Sequence, residues 1–128
     1  MIILQVSENV INLLIGAYHD IRLEANPYDI FNSDVYLHDW GLCVDPAFRG
    51  MNVEYNILAS LEKLSMAVGI RGALIMFMGT ESQLLATSLG YKVYNELVYE
   101  DYKDENGEPI FSIAENKSSK FMGIAFGK

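Results

Sequence analysis

The sequence has little cysteine, little positive charge and no long apolar run, and each scarcity excludes a class of protein. A single Cys among 128 residues cannot form a disulfide within the chain, which indicates a reducing compartment such as the cytoplasm. Nine basic residues against seventeen acidic ones give a net charge of −8, which argues against nucleic-acid binding because phosphates demand clustered Lys and Arg. No apolar run reaches about 18 residues, so the sequence predicts no membrane span.

The sequence is nevertheless rich enough in apolar residues to build a core. Hydrophobic residues make up 51% of it, with eight Tyr and six Phe. At roughly 100–200 residues per domain, 128 residues predict a single domain over residues 1–128. The two His and the Cys lack the spacing of metal ligands, so we predict no metal site.

Apolar residues recur along the chain at helical spacings in some segments and at strand spacings in others. Two segments show the period of one helix face, and the start of a third helix is marked by a capping pattern. One strand segment alternates, one is an unbroken apolar run, and two more are predicted to be extended chain. The predicted elements are a helix over residues 8–24, a loop to residue 34, a strand over 35–44, a helix over 53–68, a strand over 73–78, a helix over 80–89, and strands over 91–102 and 119–126.

This order of elements predicts an α/β fold with a mixed β-sheet and flanking helices on both faces. Strand–helix–strand units imply parallel pairing with right-handed crossovers. The last two strands are expected to pair antiparallel around the turn at Asn106-Gly107, since Asn and Gly tolerate positive φ. Thr80 and Gln83 fit a capping box at the start of the third helix. In the strand over 35–44, alternation places on one face His38, Trp40, Leu42 and Val44.

The stretch from Leu42 to Glu54 carries the most chemical information. A predicted strand runs into a tight turn at Arg49-Gly50 and directly into a helix N-terminus. Such a terminus presents N–H groups without helical partners and a partial positive charge, which suit phosphate oxygens. Many strand–turn–helix units only connect two elements, so the pattern alone leaves both interpretations open.

Three motifs resemble the GNAT superfamily of N-acetyltransferases. Val44–Gly50 is similar to the family's Val-x-Pro-x-x-Arg-Gly, which precedes its acetyl-CoA loop, and Leu89-Gly90-Tyr91 is similar to the Leu-Gly-Phe/Tyr that starts its sixth strand. Tyr99–Phe111 resembles the Tyr-x-Asp-Tyr-Lys-Asp-x-x-Gly-x-x-x-Phe segment of insect arylalkylamine (dopamine-type) N-acetyltransferases. The resemblance covers about residues 8–126 and corresponds to the C-terminal part of such an enzyme. It therefore implies a partial domain in which the family's N-terminal strands are missing.

The resemblance implies acetyl transfer from acetyl-CoA, as co-substrate, to an arylalkylamine or similar small-molecule amine. The neutral form of the amine would attack the thioester directly, so a base must first remove a proton from the ammonium form. Ser82 matches a serine for which the insect enzymes are assigned a role in proton transfer. The implied acetyl-CoA contacts are main-chain groups of Leu42, Cys43 and Val44 for the pantetheine arm, amides of Gly50, Met51, Asn52, Val53, Glu54 and Tyr55 for the pyrophosphate, and the charge of Arg49 nearby.

The sequence departs from the family's pattern at the phosphate loop and at the proton-transfer positions. Asn52 replaces a glycine, and Glu54 replaces a small residue. At about 4–6 Å from a pyrophosphate and an effective dielectric near 20, the Glu54 carboxylate would cost about 3 kcal/mol of binding. Met78 and Ala86 stand where relatives carry Ser and Tyr, and neither side chain can transfer a proton.

Two residues and the function itself have alternative interpretations. His38 is either a catalytic base, since the pKa of imidazole suits neutral pH, or an ordinary histidine at a strand end. Cys43 is either an acyl acceptor or, as we expect, a small buried residue of a strand. The alternative function is a catalytically inactive GNAT-like remnant that serves as a CoA-binding or protein-interaction module. Missing strands would leave an uncovered sheet edge, through which a homodimer is possible.

Overall fold

The computed structural model describes residues 8–39, 42–109 and 117–127, which form a four-stranded mixed sheet with helices on both faces. The helices are α1 (Glu8–Ala25), α2 (Pro27–Phe31), α3 (Val53–Ala67) and α4 (Thr80–Ser88). The strands are β1 (Leu37–His38), β2 (Gly72–Phe77), β3 (Lys92–Val98) and β4 (Ser118–Ala125), and short 3-10 turns cover Pro46–Phe48 and Tyr99–Asp101. The predicted α/β class, the mixed sheet and the three long helices are confirmed.

The sheet has the strand order β1-β2-β4-β3, and its pairings are uneven. All of β2 pairs antiparallel with β4, from Gly72 opposite Ala125 to Phe77 opposite Lys120. On its other edge β2 pairs in parallel with β1 only at Ala73 and Leu74. The last two strands, β3 and β4, pair antiparallel as predicted, although a longer connection than the Asn-Gly turn joins them.

Two buried clusters lie on opposite faces of β2. Ala73, Ile75 and Phe77 face α3 and α4, where they pack with Leu58 and Ala86. Leu74 faces α1 and packs in a second cluster with Ala17, Ile21, Leu97 and Phe121. The apolar run of β2 is therefore unbroken because the strand is buried on both faces.

The strand predicted over 35–44 is confirmed at Leu37–His38, which form β1, and is wrong at residues 35–36, 39 and 42–44. The Oδ1 of Asp39 accepts a hydrogen bond from the Met76 N–H at 3.4 Å, a donor that β1 would use if it continued beside β2. Leu42 packs against the same cluster as Leu37, so the two-residue alternation does not persist. The predicted common face of His38 and Leu42 is therefore absent, and Trp40 lies outside the described residues.

Two local predictions are also corrected by packing. Part of the predicted loop is helix α2, whose Phe31 ring lies on Gly72, where an added Cβ would come within 2.2 Å of the ring. The capping box is absent because Gln83 is buried and its Nε2 donates to the carbonyls of Phe77 (2.9 Å) and Ser118 (3.0 Å). In both regions tertiary contacts override the local signal. A third prediction, the strand over 91–102, is wrong beyond Val98, where β3 ends.

Candidate functional site

A cleft opens where β1 and β2 stop pairing. Both strands run in the same direction, and their pairing ends after His38 and Leu74. The helices α3 and α4 begin close to this end of the strands, after Asn52 and after Gly79. In open α/β sheets, ligands bind outside the carboxyl ends of parallel strands, so this is the position at which the fold favours a ligand.

The cleft holds a cavity of about 870 Å³, the size of a site for a drug-sized ligand or larger. Its walls come from the segment that follows β1 and from the N-terminal turns of α3 and α4. The lining residues are Leu42–Val44, Phe48–Gly50, Asn52–Tyr55, Gly79–Ser82 and Leu85.

The turn before α3 has a backbone suited to the close approach of a ligand. Gly50 has a φ of 80° and Asn52 a φ of 61°, so both lie in the left-handed region. Asn is one of the few non-glycine residues that adopt this region readily. Asn52 therefore keeps a turn for which a glycine is expected. Upstream, the Asp45 carboxylate accepts a hydrogen bond from the Ala47 N–H at 2.8 Å and fixes the start of the 3-10 turn.

The charges around the cavity are mixed. The N-termini of α3 and α4 both contribute partial positive charge, and Arg49 adds a cationic side chain. Glu54 and Glu81, in the first turns of the two helices, line the same cavity with carboxylates. An anion bound here would meet favourable helix termini and two unfavourable side chains.

The cavity brings together ten of the twelve site residues named from the sequence, among them Ser82 of α4. Met51 is 64% exposed and lies outside the lining, and His38 is also outside it. Cys43 is exposed and outside any strand, so the expectation of a buried strand cysteine is wrong. Cys43 instead lies in an irregular segment and lines the cavity.

His38 belongs to an aromatic group on the α1 side of the sheet. The Tyr18 hydroxyl lies 3.0 Å from its Nδ1, and the rings of Tyr18 and Tyr36 lie 6.1 and 6.4 Å from the imidazole. Burial, and to a smaller extent the charge of Asp39, raise the pKa of Tyr18 to about 12. The phenol is therefore protonated at neutral pH, which allows it to donate to the imidazole and hold its orientation.

The sequence did not predict the contacts of three residues close to the strands and helices that form the cleft. Asp39 occupies the point where β1 and β2 separate. Gln83 connects α4 to β2 and β4. Tyr91 is buried beside Phe77, and its ring meets that of Phe77 edge-on at 5.6 Å. None of them carried a sequence signal for these contacts, since each depends on elements distant in the chain.

Two findings concern the whole of the described chain. None of its helices is both long and apolar enough to cross a bilayer. Residues 8–39, 42–109 and 117–127 contain no group of three or more His, Cys, Asp or Glu arranged to hold a metal ion.

No protein-family model matches the sequence, and neither does any curated protein sequence. Solved structures do match. Arylalkylamine N-acetyltransferase 2 from Aedes aegypti superposes with a TM-score of 0.86 at 26% identity, over 96% of this chain and 57% of that one. A candidate arylalkylamine N-acetyltransferase 7 from the same mosquito gives 0.80 at 28% identity, over 98% of this chain and 53% of that one.

A third structure supports the fold alone. The polyamine N-acetyltransferase of Drosophila melanogaster, which forms N-acetylagmatine, matches with a TM-score of 0.75 at 22% identity, over 91% of this chain and 55% of that one. The present chain thus spans just over half the length of these proteins. It has the fold of the GNAT acetyltransferases and is similar, over most of its length, to part of the insect arylalkylamine N-acetyltransferases.

Proposed function

We propose that the cleft binds acetyl-CoA and that the protein transfers the acetyl group to a small amine of the arylalkylamine or polyamine class. The observation that carries the proposal is the convergence of two helix N-termini and a left-handed turn on one cavity at the ends of parallel strands. The acetyltransferase structures similar to this chain support the choice of acetyl-CoA.

The residues of the cavity fit the phosphate end of such a ligand in backbone and only partly in charge. The positive φ values of Gly50 and Asn52 turn the chain sharply into α3 and leave room for phosphate oxygens beside the first amides of that helix. Arg49 adds positive charge. The Glu54 carboxylate opposes this positive charge, so we expect acetyl-CoA to bind with reduced affinity.

The pantetheine arm of the ligand would lie along Leu42, Cys43 and Val44. These residues follow β1 without forming a strand and line the cavity. Their main-chain groups take no part in the pairing of β1 with β2, which ends at His38. A linear ligand with amide groups could bond to them in strand-like fashion.

When bound, acetyl-CoA supplies the acetyl group as a reactive thioester. The chain's own residues must then orient the amine and move a proton. Ser82 is the proton-transfer candidate that lies in the cavity. His38, the candidate base, lies outside the cavity lining on the α1 side of the sheet, and it would accept a proton at Nε2 in the tautomer whose Nδ1–H donates to the Tyr18 hydroxyl. As the chain covers just over half of the similar enzymes, the whole activity and the amine remain proposals.

A non-catalytic CoA-binding or protein-interaction module is the second candidate. It is favoured by Ala86, which is fully buried among apolar residues, and by Met78, since neither can carry a proton. In this case the short β1 at the sheet edge could pair with a second copy. The homodimer is part of the proposal. So is a cytoplasmic location, which the single cysteine favours.

Thermal unfolding with and without acetyl-CoA, followed by a thiol-release assay, tests the two candidates. We expect millimolar acetyl-CoA to raise the unfolding midpoint, since a ligand that binds only the native state stabilises it. Release of CoA thiol with dopamine, tryptamine or agmatine would then support the enzyme. A midpoint shift without thiol release would favour the non-catalytic module. If millimolar acetyl-CoA produces no shift, both CoA-dependent functions are excluded for this chain.

A further inference from the structure

Tyr91 carries a buried hydroxyl that has no hydrogen-bond partner among the described residues. The residue is 4% exposed. Its Oη is a buried side-chain atom with no hydrogen-bond partner in the described part of the chain. Buried polar groups are almost always paired, because leaving one unpaired is costly. Phenylalanine would fill the same space without this cost, so the hydroxyl calls for an explanation.

The packing places Tyr91 behind the apolar wall of the cleft cavity. Leu42 and Leu85 line the cavity, and both also pack against the buried cluster that contains Tyr91. The two leucines therefore border both the cavity and the cluster. The aromatic ring of Phe77, the last residue of β2, holds the tyrosine ring edge-on from one side.

The buried cluster that contains Tyr91 also reaches β1, since Leu37 packs against it. Burial is the main cause of the raised pKa of Tyr91, about 12, and the charge of Asp39 is the second. Asp39 follows β1 directly and accepts from the Met76 N–H, at the end of β1 where its pairing with β2 stops. At neutral pH the phenol is protonated and can donate a hydrogen bond to an acceptor that reaches the hydroxyl.

We propose that the Tyr91 hydroxyl donates a hydrogen bond to the carbonyl oxygen of an acyl thioester whose acyl end parts Leu42 from Leu85. The inference rests on the proposed binding of acetyl-CoA and adds the group that recognises the acyl end. It predicts that the protein distinguishes acetyl-CoA from free CoA, which lacks the carbonyl. Without a ligand the hydroxyl has no hydrogen-bond partner among residues 8–39, 42–109 and 117–127.

Calorimetric titration of the wild type and the Tyr91→Phe variant with acetyl-CoA and with CoA tests this role. We expect Tyr91→Phe to weaken acetyl-CoA binding about fivefold, as for the loss of one neutral hydrogen bond, and to leave CoA binding within about twofold. The unfolding midpoint of the unliganded variant should stay equal or rise, because no bond is lost. Tyr94→Phe, on the partly exposed face of β3, is the matched control and should change neither affinity.

Each other result has a definite meaning. Equal losses for acetyl-CoA and CoA would overturn acyl recognition and indicate a distorted cleft. Unchanged acetyl-CoA binding would also overturn it and indicate a role confined to packing or to a trapped water. If the wild type binds neither ligand, the proposed function fails and the inference fails with it. If the wild type binds both and the variant loses neither, only the inference fails.

Discussion

The two edges of β2 differ in how completely they are paired, and this difference separates the stable part of the molecule from its site. Along one edge, all six residues of β2 pair with β4, and β3 continues the ladder on the far side of β4. Along the other edge β1 pairs at two positions and then leaves. The fold therefore depends on the β4 edge, and the cleft exists because the β1 edge is left incomplete.

A large cavity on the β4 side should have the greatest effect on the free energy of unfolding. Phe121 of β4 is fully buried between the sheet and α1, so Phe121→Ala should reduce the free energy of unfolding by about 3–5 kcal/mol. Phe48 lines the cleft at 54% exposure, and Phe48→Ala should cost less than about 1 kcal/mol.

Urea denaturation of the two alanine variants measures both values. Equal losses would show that the cleft side supports the fold as much as the β4 ladder does, contrary to the uneven pairing. Extensive destabilisation by Phe121→Ala with little change for Phe48→Ala would confirm that the two regions have different roles.

Removing the hydrogen bonds that connect the two regions should have the next largest effect on stability. Gln83 donates to the Phe77 and Ser118 carbonyls and so attaches α4 to β2 and β4 from within the core. Gln83→Met keeps the side-chain length but leaves two buried acceptors without this donor, which should cost about 2 kcal/mol of unfolding free energy. Leu84→Met on the exposed face of the same helix should cost almost nothing. Similar unfolding curves for the two variants would show that water replaces the glutamine.

The contrast between these regions also explains what the sequence could predict. Apolar patterning located α1, α3 and the doubly buried β2, because burial on a fixed face imposes a pattern on neighbouring residues, whereas α4 was located by the pattern at its start. Patterning failed after His38, since Asp39 and Leu42–Val44 lie outside any strand. Asp39, Gln83 and Tyr91 act through partners remote in the sequence, so their roles required the folded chain. The motif at Val44–Gly50 indicated a ligand site, but the mixture of charges around the cavity is visible only in the folded chain.

On the cleft side the largest expected change is in affinity. Glu54 lines the cavity in the first turn of α3, so Glu54→Gln should strengthen acetyl-CoA binding about tenfold, less than the unscreened repulsion allows because the carboxylate is partly solvated. The same change removes a favourable charge from the helix N-terminus and should lower stability by about 0.3–1 kcal/mol. Binding and stability should thus move in opposite directions.

Titration calorimetry at two salt concentrations tests the electrostatic origin of the Glu54 effect. The gain should shrink as salt rises, because ions screen partly exposed charges. Glu62→Gln, on an exposed part of α3 outside the cavity lining, is the control and should leave the affinity unchanged. An identical gain from Glu62→Gln would point to the overall net charge of −8 rather than to the cleft.

The smallest effect concerns the backbone of the turn that leads into α3. Asn52 has a φ of 61°, so Asn52→Ala should lose about 1 kcal/mol of stability, while Asn52→Gly should keep it within about 0.5 kcal/mol. Asn56→Ala, one turn further along the exposed side of α3, should have the opposite sign, because alanine favours a helix. Thermal unfolding separates the three variants. If alanine is tolerated equally at both positions, the turn relaxes at no cost, and the preformed backbone that distinguishes the cleft from an ordinary connection is absent.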